Sequence, residues 1–328
     1  MTRIVAVDIG GTHARFALAT VEAGRVVHLG EATTLKTAEH ASFQTAWEEY
    51  GRIAGQSLPG QSLPRAVAIA VAGPVSGEVI RFTNSPWIIR PALIAEKLGV
   101  DRHILINDFG AVGHAVAQAG PEYFDPLCGP DVPLPDTGTI SIIGPGTGLG
   151  VAHVWREGDD YHVQASEGGH IDFAPLDAIE DHVLARLRKR YRRVSVERVV
   201  SGPGIVEIYE ALAAIEGRAV HALEDKAIWA LGLSGEDSLA AAAIDRFCLS
   251  LGSVAGDIAL VQGGSGVVIA GGLGLRIRDA LTRSGFASRF CEKGRFEAMM
   301  AELPVKLITH PQPGLFGAAA AFAREHSQ

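Results

Sequence analysis

Short runs of β-branched and aliphatic residues alternate along the chain with glycine corners and with longer stretches of helical periodicity. Ile4-Val5-Ala6-Val7-Asp8 reads as a strand ending in a carboxylate, and Ile9-Gly10-Gly11-Thr12 as a tight turn. Arg15 to Ala19 and Arg25 to Gly30 return as strands, a meander with glycines at its first corner. Ser42 to Ala54 has the apolar spacing of an amphipathic helix with Ser42 as its cap. Ala66 to Ala72 reads as a buried strand ended by Gly73-Pro74, and Pro91 opens a helix to Leu98. Ile104-Leu105-Ile106, another buried strand, runs straight into Asn107-Asp108-Phe109.

After a Pro-rich connection from Pro121 to Pro135 the pattern restarts. Thr139 to Ile143 is a strand, Gly144 to Gly150 a glycine turn, and Val151 to Arg156 and Tyr161 to Ala165 are strands. The second half thus repeats the opening of the first. Leu176 to Tyr191, Gly204 to Ala214 and Ala222 to Leu233 read as helices. So does Leu239 to Val261, an apolar 23-residue stretch interrupted by Asp245, Arg246 and Asp257, which marks it as a core helix rather than a membrane span. Val267 to Leu273 reads as a strand ending in Gly271-Gly272, with a helix from about Leu275. Val305 to Thr309 is a late strand, and Pro313-Gly314 opens an alanine-rich final helix.

The 328 residues suit two domains, and 47% hydrophobic against 20% charged residues supplies a substantial core. A formal charge of −8 argues against a nucleic-acid partner. Cys128, Cys248 and Cys291 are odd in number and far apart, which argues for a reducing compartment. Met1-Thr2-Arg3 leads directly into strand without a signal-peptide pattern. A cytoplasmic protein with no membrane partner is expected.

Candidate chemistry concentrates at the corners. A carboxylate at the end of a buried strand, as at Asp108, is placed where open α/β sheets hold ligands, and it suits a general base with Asn107 holding the substrate. Asp108 as the cap of the helix that follows is the competing reading. Gly10 and Gly11 let the backbone approach an anion, and Thr12 adds a hydroxyl donor. Asp8, just ahead of them, would serve Mg²⁺ directly or through water. An ordinary hairpin is the alternative. Thr83-Asn84-Ser85-Pro86-Trp87 suits a polar ligand with apolar faces, or else a turn packed under Trp87. Glu167 and His170 flank two glycines and can leave one turn toward one ligand; no second histidine or cysteine cluster stands at metal spacing, so the pair is either structural or bonds a polyol. Arg186 to Arg193 is a basic run best read as a solvated face or subunit contact. A P-loop is excluded because no lysine follows a glycine. A dinucleotide fingerprint is excluded because its third glycine would fall at Leu149 or Val151, and strand follows the loop.

Together these motifs resemble the bacterial glucokinases of the hexokinase–actin superfamily, along nearly the whole chain. The resemblance rests on Asp8 to Thr12, Thr83 to Trp87, Ile106 to Phe109, Gly144 to Ala152, Glu167 to Pro175, Ser195 to Gly204 and Ile269 to Gly272. It implies an α/β fold of two actin-like (ribonuclease H-like) domains, each a mixed sheet with flanking helices, with an interdomain cleft. The smaller domain would span 1–110, with the helix of 311–328 returning to it, and the larger 111–310. It implies ATP- and Mg²⁺-dependent phosphorylation of the glucose 6-hydroxyl by a homodimer. Asp108 would be the base, with Asn107, Glu167, His170, Glu197 and Asn84 on the sugar. Asp8, Gly10, Gly11, Thr12, Gly146, Thr147 and Gly148 would surround phosphates and metal, and Gly271, Gly272 and Gly314 would lie near the adenosine. The sequence departs from the family at His13, usually Asn, and at Pro145, more often Ala. A kinase for another hexose, such as an N-acetylhexosamine, is the nearest alternative. A sugar-sensing regulator is remote, since its helix-turn-helix and Cys-x-Cys-Gly-x-x-Gly-Cys zinc motif do not occur here.

Overall fold

A computed structural model describes residues 1–57, 62–82, 85–219 and 222–326. The chain forms two compact units, Met1–Gly120 with His310–Gln328, and Pro121–Thr309. In the first, the order is β1 (Thr2–Ile9), β2 (His13–Glu22), β3 (Arg25–Leu29), β4 (Thr33–Lys36), α1 (Phe43–Ser57) and β5 (Ala66–Val71). The short ribbon β6 (Ile80–Arg81) and β7 (Ile88–Ile89), α2 (Ile94–Leu98), β8 (Arg102–Asn107) and α3 (Asp108–Gln118) follow. The sheet runs β3-β2-β1-β5-β8, with β4 on β2. β1 is antiparallel to β2 and parallel to β5, and β5 is parallel to β8.

β5 shows how sequence sets the layers. In Ala66-Val67-Ala68-Ile69-Ala70-Val71 the branched residues face one side, in a core with Phe16, Phe43, Trp47 and Tyr50 of the α1 side. The alanines face the other, where an alanine-rich helix can approach closely. Trp87 belongs to the first core, 1% exposed, with its indole N–H donated to the His40 carbonyl at 2.9 Å. It therefore packs as core and offers no apolar face to a ligand.

The second unit contains β9 (Phe124–Cys128), β10 (Thr137–Pro145), β11 (Leu149–Glu157), β12 (Asp160–Ser166), α4 (Ala178–Arg188), α5 (Gly204–Ile215) and α6 (Asp225–Ser234). It continues with α7 (Ser238–Gln262), β13 (Gly264–Ile269), α8 (Gly271–Arg276), α9 (Arg278–Arg283), α10 (Phe286–Cys291), α11 (Glu297–Ala301) and β14 (Val305–Ile308). The sheet order is β12-β11-β10-β13-β14-β9. β10 is antiparallel to β11 and parallel to β13, the arrangement of β1, β2 and β5 over again. The most apolar window of α7 is 72% buried, among Trp229, Phe286 and Phe290 of this unit's core. The final helix, α12 (Pro313–Glu325), returns to the first unit and lies with Leu315, Ala318, Ala319 and Phe322 on the alanine face of its sheet.

Several expected boundaries move. The Pro121–Pro135 connection contains β9, an edge strand on β14, and an edge tolerates Pro126 because its missing N–H breaks no inner ladder. The glycine turn contracts to Gly146–Gly148, because Gly144 and Pro145 still pair with Gly150 and Leu149. The helix read from Leu176 starts at Ala178, where the Asp177 carboxylate accepts from the Ile179 and Glu180 amides. Gly271 and Gly272 begin α8 instead of ending a strand.

Asp177 also binds Arg246 and Arg289, tying α4 to α7 and α10. Burial would push its carboxyl up, but the Glu180 amide and the two guanidiniums outweigh burial and hold it below the ordinary 3.8. A depressed carboxylate contributes stability that is full above its unfolded value and is lost as pH falls through the folded one. Asp177→Asn keeps the cap and removes the charge. The gap in urea midpoint between parent and variant should stay constant above about pH 5 and narrow progressively as pH falls below 3.8. A gap that does not narrow at all as pH falls below 3.8 would assign the stabilisation to something other than this charge.

Candidate active site

Parallel pairing brings the first unit's polar strand ends to one edge. Ile9 lies beside Val71, and Val71 beside Asn107. Asp8 and Asn107 therefore stand at the carboxyl ends of β1 and β8, with β5 between them. Two strand spacings separate them, about 10 Å. Asn107, rather than Asp108, caps α3: its Oδ1 accepts from Phe109 N at 2.8 Å and Gly110 N at 3.0 Å. Its Nδ2 donates to the Gly73 carbonyl at 3.1 Å. Asp108 is the first residue of α3, half-buried, with Oδ1 accepting from Phe109 N at 2.9 Å. The capping role and the carboxylate thus fall to adjacent residues.

Asp8 faces Arg15 across the β1–β2 ladder, at 3.3 Å. Burial pushes its carboxyl up, opposed by the Arg15 charge and hydrogen bond. The amino end of α12 lies against the same group: a Cβ on Gly314 would come within 2.8 Å of Asp8 Oδ2. Gly314 is thus grouped with Asp8, whereas Gly271 and Gly272 belong to the other unit. The Gly10–Thr12 turn is closed by Gly10 N donating to His13 O at 2.9 Å. Thr37, 3% exposed, braces it by donating Oγ1 to Gly11 O at 3.0 Å and N to Thr12 O at 3.0 Å. The Thr12 hydroxyl lies 2.9 Å from His13 Nδ1.

In the second unit, Gly146 N donates to Gly148 O at 2.8 Å, and Gly202 N to Gly146 O at 2.7 Å. Thr147, at the tip, is exposed. Glu197 Oε2 accepts from Leu149 N at 2.8 Å, and Gly148 leaves no room for a Cβ beside that carboxylate. Glu197 Oε1 is 3.9 Å from His170 Nε2, so the carboxylate stands between the glycine turn and the Glu167–His170 turn. Gly168 and Gly169 press against Val151 and the Leu149 carbonyl, which leaves Glu167 and His170 exposed. A Cβ on Gly271, at φ +85°, would lie 2.9 Å from the Pro145 carbonyl, whereas Gly272 borders open space.

Within each unit the predicted residues therefore gather, except Asn84, which lies outside the described residues. The partners Arg15, Thr37 and Gly73 were given no role by the sequence reading, because each bonds a group that only folding brings beside it. A cavity of about 130 Å³ in the first unit, between Phe43, Ile88, Arg90 and Lys97, contains none of the site residues and no carboxylate. Among the described residues no group of three or more His, Cys, Asp or Glu side chains could cage a metal. Asp8 offers one hard carboxylate, which fits Mg²⁺ bringing its other oxygen ligands from phosphates and water.

A protein-family model described as glucokinase matches residues 5–325. The chain is 62% identical over 325 residues to the glucokinase of Zymomonas mobilis, covering 99% of both sequences. It is similar to the crystal structure of glucokinase from an Antarctic psychrotroph, with 33% identity, a TM-score of 0.84 and 98% of each chain covered. In fold it also matches a ROK family glucokinase from Streptomyces griseus in complex with glucose and AMPPNP. That match has 19% identity, a TM-score of 0.62, and covers 98% of this chain and 99% of that one.

Proposed function

The chain belongs to the glucokinase family, and from that premise we propose how its own residues transfer the γ-phosphoryl group of ATP to the glucose 6-hydroxyl. Asp108 accepts the proton from O6 as O6 attacks the γ-phosphorus and the bond to the ADP oxygen breaks. The observation that carries this role is the place of Asp108 at the carboxyl end of β8, beside a locked Asn107. After bonding Gly73, the Asn107 amide keeps one N–H for the sugar. Glu167, Glu197 and His170 bond the remaining hydroxyls, with Asn84 beside them, and reject analogues that would leave those groups unpaired. Gly11, Thr12, Thr147 and Gly148 present amides and hydroxyls to the phosphates, in turns that the Gly10 and Gly146 amides close. Gly271 and Gly272 lie along the adenosine, and Gly314 keeps the space beside Asp8 open. Mg²⁺, when bound, neutralises phosphate charge there, and Asp8 is the residue that holds it. The two units act as the two domains of the enzyme, which works as a cytoplasmic homodimer.

A coupled assay for hexose 6-phosphate with a panel of sugars and nucleotides tests the reading. Glucose with ATP should give the highest kcat/KM, and ATP hydrolysis without sugar should be slow. An N-acetylhexosamine turned over as well as glucose would transfer the assignment to that acceptor. Asp8→Asn should raise the Mg²⁺ concentration for half-maximal rate by about tenfold, one charge-assisted contact, with glucose KM unchanged. An unchanged Mg²⁺ dependence would release Asp8 from the metal. Sedimentation velocity checks the dimer.

A further inference from the structure

The basic run from Arg186 to Arg193 holds more than a solvated face. Arg186 pairs with Glu210, and Arg190 with Glu207, both on α5. Arg193 does something different. Its Nη2 donates to the His170 carbonyl at 2.7 Å, and its Nε lies 2.6 Å from Asp172 Oδ1. The backbone around it is already a short antiparallel ladder. Phe173 N donates to Val194 O at 3.0 Å, Val196 N to Ile171 O at 2.9 Å, and Asp172 bridges Ser195. One strand of this ladder carries the Glu167–His170 turn, and the other runs into Glu197. The ladder therefore sets the register of His170 against Glu197, and Arg193 spans it diagonally.

We propose that Arg193 is a positioning residue for sugar recognition, holding the His170 end of the turn in register with Glu197 through its paired bonds to His170 and Asp172. The inference rests on the reading of Glu167, His170 and Glu197 as sugar ligands. Gly168 and Gly169 pack against Val151 and the Leu149 carbonyl but have no side chains to bond, so hydrogen bonds to neighbouring segments hold the turn at its ends. One end is the Ser166–Val151 pairing at the close of β12. The other is the His170 carbonyl that Arg193 holds. The Arg193 side chain is 58% exposed, and at that exposure an ion pair with Asp172 contributes little. The weight falls on the second bond, to a backbone carbonyl, which needs a forked donor holding two acceptors in a fixed plane. Lysine supplies one donor point and no fork.

Arg193→Ala should raise the glucose Kd, measured by calorimetry, about tenfold, the loss of one charge-assisted bond to the turn. Glucose KM should rise in parallel, with ATP KM, kcat and melting midpoint near parent values. Arg193→Lys should recover only part of the loss. A merely structural role would instead lower the melting midpoint and shift both KM values together, and that pattern overturns the proposal. Glucose affinity within twofold of the parent in Arg193→Ala also overturns it. A parent protein that binds no glucose would sink the sugar assignment and this inference with it.

Discussion

Asp108→Asn is expected to lower kcat by about 10²–10⁴ while glucose still binds within about threefold of the parent. The substitution conserves size and keeps an oxygen to accept the Phe109 amide, which Asp108 Oδ1 holds at 2.9 Å. It leaves untouched the Asn107 cap on Phe109 and Gly110 and the Asn107 bond to Gly73, which fix the β8–α3 junction. What disappears is a carboxylate able to take a proton. A primary alcohol is a poor nucleophile until that proton leaves, so the loss appears in the chemical step and not in sugar affinity. Calorimetry with glucose and a coupled rate assay separate the two. Full turnover by the variant would remove Asp108 from the mechanism and leave it as the first residue of a helix.

Gly317→Ala should be the most damaging single methyl group in the first unit. At this position α12 crosses α3, and a Cβ would fall well inside contact distance of the Ala111 carbonyl and 3.1 Å from Ala115 N. Both obstacles are backbone in a packed helix, so no side chain can swing aside. The helices must separate, which opens the alanine-lined layer of Ala68, Ala70, Ala318 and Ala319. Overpacking of this kind costs about 3 kcal/mol or more. In a domain of this size that lowers the melting midpoint by roughly 6–12 °C. Activity should fall as well, because α3 begins at Asp108 and α12 begins beside Asp8. A midpoint within 2 °C of the parent would mean that the crossing has room for the methyl group and that the backbone contact with Ala111 is not what sets it.

These two positions differ in how visible they are in the sequence. Asp108 announces itself: three aliphatic residues running into an amide and an acid mark a strand end, and strand ends in parallel sheets carry ligands. Gly317 stands among alanines in a helix and has no local signature; its necessity comes from Ala111, some two hundred residues earlier. Arg193 lies between these cases. Its run was conspicuous, yet the bond to His170 that distinguishes it from Arg186 and Arg190 depends on a ladder between distant segments.

Local pattern was sufficient for the main strands of both sheets, the paired glycine corners and the duplicated strand order, because alternation, helical period and turn chemistry act over a few neighbours. It was insufficient for the short strands β4 and β7, for β9, where Pro126 disguises an edge strand, and for the true length of the Gly146–Gly148 turn. It also offered only Asp108 as a cap for α3, a role that Asn107 fills. Those outcomes depend on pairing across the sheet and on which backbone amides a side chain can reach. They are settled when segments far apart in the chain pack together, since hydrogen bonds and close contacts form only between groups that folding has brought within a few ångströms.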